Sequence, residues 1–329
     1  MFYILCVALC LAVWFIVLAG MSMLCPWGAR LLGRLVYSSA SARTANRLFA
    51  VRILPLFLAC VVTLGFALPA FMEFEPRASG EMMSLRLFVL GTLGALVFIA
   101  MAIRAAKTIR ATASMREQWR RRSKKLYVKG MDVPVYCLDG PRSVMAVLGV
   151  FRPEIFVARE VTQVLSKEEL AAAIAHERAH VRSFDNLKQI LLKVTRLPHW
   201  LKPNTFGVQD TAWTNASEVA ADKAALAAGA SPLDLSSALV KVARLTRRAE
   251  VGEAVAASHL FPVACGSAIE ARMRYLQELL EDTAPASGTR KQSRKYQVVL
   301  SLVFFTIAYV ACVNAALPWV HEALESLVR

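Results

Sequence analysis

Residues 176 to 180 read HERAH. On a helix, His176 and His180 stand one turn apart on one face, so both imidazoles can reach a single divalent ion. Glu177 flanks them, where its carboxylate can take a proton from a water that the metal polarises. Five letters recur by chance, so their surroundings must carry the argument. A catalytic zinc ion needs three protein ligands and one open position. The stretch SEVAAD, Ser217 to Asp222, offers the third. Glu218 and Asp222 are spaced i, i+4, on one face of an Ala-rich segment. Glu218 is the candidate third ligand. Asp222 is the candidate acceptor for the free imidazole N–H of a ligand histidine, His176 first, which fixes that ring's tautomer. Asp185, five residues past His180, either supports the site or starts the next helix. His199, His259 and His321 sit in surroundings that fit surface or interface roles. A tetrahedral oxyanion would need one more donor, for which Arg272 and His259 are the candidates.

The elements that must position these groups are written around them. Ser166 followed by Glu169 is a capping box, and Leu165 and Leu170 stand where a hydrophobic staple would close. Ala171 to Ala175 then allow a closely packed helix ahead of His176. Ala216 to Ala228 predicts a second helix, with small residues that let it approach the first. Val133 to Val157 carries β-branched and aromatic residues punctuated by Gly140-Pro141, Gly149 and Pro153, which predicts two or three short strands. Of these, the segment with Val144, Val147 and Val150 is a candidate to pair an extended substrate by strand addition, with a plain structural strand as the alternative. The basic run from Ala105 to Lys125 is predicted as a helix.

The chain has 329 residues, 57% hydrophobic and 19% charged, with mean hydropathy +0.46. That excludes a disordered protein and points away from a purely soluble one. Four charge-poor runs are long enough to cross a bilayer: residues 2–21, 53–72, 87–103 and 297–317. The basic residues around the first run follow it rather than precede it, so it reads as an uncleaved anchor. The net charge of +15 gathers at the ends of these runs. Arg30 to Arg52 is basic, Glu73 to Glu81 is acidic, and Arg104 to Lys125 is the densest basic stretch. The loops therefore put the N-terminus outside and the region after the third run in the cytoplasm. Positive charge at these edges also favours anionic membrane lipid, and without base-stacking motifs it does not imply nucleic acid. Seven cysteines with no ligand-like spacing support neither a disulfide framework nor an all-cysteine zinc site.

These features predict a mainly α integral membrane protein: four transmembrane helices, with a cytoplasmic α+β zincin-like metallopeptidase domain inserted between the third and fourth. The expected division is a three-span region at 1–106, a peptidase domain at 107–282, a basic linker at 283–296, a fourth span at 297–317 and a short external tail at 318–329.

The chain resembles the BlaR/MecR-type membrane zinc metallopeptidases, the antirepressor sensor-transducers of bacteria. The likeness rests on the four-span layout, on GVFRPEIFVARE (Gly149 to Glu160), on LSKEELAAAIAHERAHVRSFDNLKQ (Leu165 to Gln189), on the ExxxD element Glu218 to Asp222 and on RMRYL (Arg272 to Leu276). The resemblance implies Zn2+ held by His176, His180 and Glu218, with Glu177 as catalytic base. It implies a protein or peptide substrate and a place in the bacterial inner membrane. Ala221 stands where many members have Cys, a change that leaves the ligands alone. The tail after the fourth run is too short for the family's extracellular penicillin-binding sensor, so direct β-lactam sensing is not expected. A separate sensor or regulatory protein is expected instead. Two other classes share parts of this pattern: a quality-control or processing protease of the HtpX/CAAX type, and a non-enzymatic membrane scaffold or receptor.

Overall fold

The computed structural model describes residues 2–31, 42–75, 83–128, 130–139, 145–196, 205–250, 272–273, 275–277 and 316–325. The described chain is mostly helical with one small sheet. It begins with α1 (Phe2–Leu31) and α2 (Ala42–Val62), which runs on through a π-helical turn (Thr63–Ala67) into α3 (Leu68–Phe74). Next comes α4 (Leu85–Arg121). Three stretches are long and apolar enough to cross a membrane: Phe2–Leu24, Thr44–Phe74 and Leu85–Arg121. Most of the fourth run expected from sequence lies outside the described residues. Its last residues open a helical segment, 316–325, whose Leu317 and Leu324 pack with Leu5, Leu9, Phe71 and Leu87.

The three long helices meet through side-chain layers. One is built from Leu5, Leu9, Ala12, Phe71 and Leu87, another from Trp14, Phe15, Leu18, Ala59, Val97 and Met101. The α1–α4 contact needs glycine. A Cβ on Gly94 would stand 2.3 Å from the Leu11 carbonyl oxygen, and one on Gly91 3.0 Å from that of Ala8. Such close backbone approach is how apolar helices gain packing energy in lipid.

The 37 residues of α4 make a rod of about 55 Å, against a hydrocarbon core of about 30 Å. Its far end therefore belongs to the domain that follows. That domain holds β1 (Ser123–Leu126), β2 (Val135–Leu138), β3 (Met145–Leu148) and β4 (Glu154–Ala158), in spatial order β1-β2-β4-β3. Only β2 and β4 are parallel; the outer pairs are antiparallel. The basic run expected to stay helical to Lys125 ends instead at Arg121. Lys124 and Lys125 pair with Cys137 and Tyr136 as part of β1. The ladder to β2 satisfies backbone groups that one more helical turn would have satisfied locally, a choice that composition does not reveal.

Strand β4 is buried along its whole length, and its alternation divides two cores. Phe156 faces Trp119 of α4, with Leu138, Ala146 and Leu148. Ile155 and Val157 face the other way with Val135 and Val147. On that second face lie α5 (Arg159–Val164), α6 (Lys167–Arg182) and, after α7 (Asp185–Val194) and α8 (Thr205–Ala227), the helix α9 (Pro232–Glu250). Ala173 and Ile174 of α6 and Ala238 and Leu245 of α9 complete this core. It fixes α6, the HERAH helix, against the sheet.

Candidate metal centre

Helix α6 starts where the capping box places it. The Ser166 hydroxyl accepts from the Glu169 N–H at 3.1 Å, and Glu169 Oε2 accepts from the Ser166 N–H at 2.8 Å. Glu169 also accepts from Lys241 Nζ and the Ser237 hydroxyl of α9, which hold its carboxyl down at about 2. One side chain thus starts α6 and clamps it to α9. Three turns on, α6 presents His176 and His180, and α8 crosses beside it. The crossing is close because alanines face each other: Ala172 of α6 and Ala225 of α8 share a cluster with Leu235 and Leu276.

The two imidazoles turn the same kind of nitrogen inward. His176 Nε2 and His180 Nε2 are 3.1 Å apart, with the rings nearly perpendicular. Glu218 Oε2 lies 3.5 Å from the first and Oε1 3.6 Å from the second. One ligand atom from each of His176, His180 and Glu218 can therefore surround a metal ion. Zinc bonded at 2.0–2.1 Å with tetrahedral angles sets ligand atoms about 3.4 Å apart. The two ring nitrogens are spaced near that edge, and each has a Glu218 oxygen at about the same distance, so the donor set fits zinc.

Each outward nitrogen is held by a carboxylate. His176 Nδ1 is 2.8 Å from Asp222 Oδ1, and His180 Nδ1 is 2.8 Å from Asp185 Oδ2. An Nδ1–H donated to a carboxylate leaves the Nε2 lone pair facing inward, the tautomer a metal ligand needs. Asp185 reaches back because the chain reverses sharply between α6 and α7. Phe184 there takes a left-handed conformation with φ of 54°, unusual for an aromatic residue and a local strain beside the cluster. Asp185 both starts α7 and touches a cluster histidine.

Arg272 closes the cluster from behind and is itself buried. Its Nε and Nη2 donate to the two Asp222 oxygens at 2.8 and 2.7 Å, a bidentate fork, and its Nη1 donates to Glu218 Oε2 at 2.9 Å. Its Nη2 is also 3.4 Å from His176 Nδ1. Those two donors share the Asp222 acceptor, so the contact between them is not a bond in its own right. Sequence spacing did not reveal this arrangement. It left Arg272 as a candidate oxyanion donor, whereas three of its nitrogens face carboxylates.

The electrostatics follow from crowding acids around few cations. Burial favours the neutral form of Glu218 and of Asp222. For both, the bond to His176 and the Arg272 charge more than offset burial and hold the carboxyl below its ordinary range. Burial and the Arg272 charge push the His176 imidazole down, but Asp222 and Glu218 outweigh them and bring it up to about 9. The site thus favours added positive charge between its carboxylates. Glu177 moves the other way: burial raises its carboxyl, and the nearby histidines offset only part of that. It is a stronger base than an exposed glutamate.

Of the remaining expectations, His199, His259 and Val144 lie outside the described residues. Val147 is buried beneath the sheet, and Val150 lies in the turn after β3. Gly149 in that turn has φ of 102°. Among the described residues β3 pairs only with β4, so it is an edge strand. Asn186 of α7 donates to the carbonyls of Val147 and Gly149 at 3.1 and 3.0 Å, tying that edge to the helix which begins at Asp185.

A family model described as BlaR1 peptidase M56 matches residues 12–276, a stretch that takes in the latter part of the first membrane-capable helix, all of the other two, the sheet and the whole cluster. Peptidases of that family depend on zinc and act on proteins or peptides. A search of curated proteins finds no match.

Proposed function

The chain belongs to the BlaR1 peptidase M56 family, and on that premise we propose that it is a zinc-dependent membrane endopeptidase of regulatory type. Its substrate is a cytoplasmic regulator, a segment of the chain itself or a partner protein. The observation that carries this reading is the convergence of His176, His180 and Glu218, each imidazole backed by its own carboxylate.

Zinc bound there supplies Lewis-acid polarisation of a water and of the scissile carbonyl. The chain's residues do the rest. His176, His180 and Glu218 hold the ion. Asp222 and Asp185 fix the ring tautomers. Glu177 accepts the proton lost by the attacking water and returns it to the leaving amine, a role its raised proton affinity suits. Arg272 serves as a positioning group, since its donors are directed to Asp222 and Glu218. An extended substrate adds to the edge of β3, the strand that Asn186 ties to α7.

The proposed setting is the bacterial inner membrane, with four spans, the N-terminus outside and the peptidase domain in the cytoplasm. The basic N-terminal end of α2 lies against the domain helices α7 and α8, and segment 316–325 packs at the opposite end of the bundle. Both support that topology under the positive-inside rule. A reporter fused near residue 202 is expected to act only from the cytoplasmic side.

The test is Glu177→Gln in the full chain. Zinc content should stay at the wild-type level while proteolysis disappears. Retained cleavage removes Glu177 from the mechanism. Protein trapped by this variant in its native cell should be one defined regulator. A broad set of damaged membrane proteins would instead indicate quality control of the HtpX/CAAX type, and a wild-type chain without zinc or cleavage would indicate a scaffold.

A further inference from the structure

We infer that α2, the second membrane-capable helix, is the positioning element of the metal cluster, and that the cluster reads displacements of α2 through two separate ties. This rests on His176, His180 and Glu218 being the metal ligands.

The first tie runs along the helix that carries Glu218. Asp210 stands on α8 about two turns, roughly 12 Å, before Glu218. Its Oδ1 lies 3.2 Å from Arg52 Nε of α2, and both side chains are largely buried. Its Oδ2 lies 3.4 Å from Arg196 Nη2, just beyond α7, and Arg104 of α4 donates to the Arg196 carbonyl. Further along, Ala45 and Leu48 of α2 pack with Trp213 and Ala216 of α8, and Phe49 meets the Trp213 ring. Residues 210 to 216 of α8 are therefore docked on α2, and the next residues carry Glu218.

The second tie reaches His180. Lys188 Nζ donates to Asn46 Oδ1 of α2 at 2.9 Å and to Asp185 Oδ1 at 3.3 Å, and it lies 5.9 Å from the centroid of the Phe49 ring. The other oxygen of Asp185 holds His180. Neither tie touches a ligand atom directly. Yet the histidines come from α6 and the carboxylate from α8, and α2 holds both supports. A shift of α2 must change how well the three ligand atoms converge.

The seam is also not fully satisfied. Both amide atoms of Gln209 and the Trp213 Nε1 are buried and meet no hydrogen-bond partner among the described residues, with the two residues one turn apart on α8. Orphaned polar groups disfavour the packing that strands them, relative to one in which they pair. The α2–α8 contact therefore holds polar groups that its present packing does not pair, which lowers the cost of shifting it.

The experiment measures zinc affinity of the purified full chain by competition with a chromophoric chelator, alongside thermal unfolding without metal. Asp210→Asn should weaken zinc binding several-fold, less than the roughly 10–100-fold lost with a group bonded to a ligand side chain itself. Asn46→Ala should weaken it several-fold with metal-free unfolding unchanged, and Asn46→Asp, which keeps an acceptor for Lys188, should restore it. Asn46 is exposed, so this pair answers even if Asp210→Asn fails to fold. Wild-type zinc affinity in Asn46→Ala, or in a folded Asp210→Asn, overturns the coupling. A wild-type chain that binds no zinc would instead overturn the ligand assignment.

Discussion

Replacing Asp222 by Asn isolates what an outer carboxylate contributes, since the side chain keeps its size and is never seen by solvent. Asp222 is 0% exposed and accepts three short bonds, from Arg272 Nε, Arg272 Nη2 and His176 Nδ1. Asparagine has one acceptor oxygen, and its NH2 must face one of those donors. If the oxygen faces His176 and Nη2, the amide opposes Nε; if flipped, it opposes the other two. Arg272 then keeps one neutral acceptor at 222 and has Glu218 as its one hydrogen-bonded carboxylate among the described residues. Removing one partner of a buried ion pair costs about 3–5 kcal/mol. Loss of an outer carboxylate weakens metal binding about 10–100-fold, or roughly 1.4–2.8 kcal/mol. Asp185→Asn is the control. It removes the same kind of bond from His180, but its other partner, Lys188, keeps the Asn46 oxygen as an acceptor and is less buried than Arg272, so it is less stranded. Both variants should lose zinc affinity to a similar degree in chelator competition. Only Asp222→Asn should also lose several kcal/mol of metal-free stability by denaturant titration. Zinc affinity within twofold of wild type in both, or equal stability loss in the two, would refute the assigned roles of these carboxylates.

Glu169→Ala should cost about 2–4 kcal/mol, the carboxylate's bond from the Ser166 N–H plus its charge-assisted bond from Lys241, read from denaturant midpoints. The acid side has a defined sign. Glu169 holds its carboxyl at about 2, below an ordinary glutamate near 4.5, so its contribution is complete above pH about 4.5 and is lost as pH falls toward 2. The stability gap between wild type and Glu169→Gln should therefore narrow over that window, and a constant gap would count against the Lys241 clamp. Gly94→Ala should destabilise the α1–α4 contact by about 1–3 kcal/mol, and Gly91→Ala by less, because the first meets backbone at 2.3 Å and the second at 3.0 Å. Equal unfolding temperatures for the two in detergent would contradict that packing. Chelation of zinc should abolish proteolysis, and added zinc should restore it in wild type but not in His180→Ala, measured on a peptide substrate.

Some of this protein is local, and local features are legible from order and type alone. The capping box, the one-turn spacing of His176 and His180 and the apolar runs near the N-terminus need only the period of a helix or the thickness of a bilayer. Strand β1 shows where that logic stops. Its lysines continue a basic helical pattern, and only pairing with β2 made them a strand. The same division runs through the cluster. The fork of Arg272 on Asp222 spans fifty residues of chain, the reversal at Phe184 aims Asp185 back at His180, and the ties from Asn46 and Arg52 join a membrane-capable helix to the domain. Spacing left Asp185 with two possible roles and carried no record of the other contacts, because each depends on where separate helices come to rest. The residues themselves determined which donors and acids the chain possesses and which face of a helix they share. Only tertiary packing decided that the histidine pair meets Glu218, since bringing α6 against α8 needs the alanine-lined crossing and the sheet behind it.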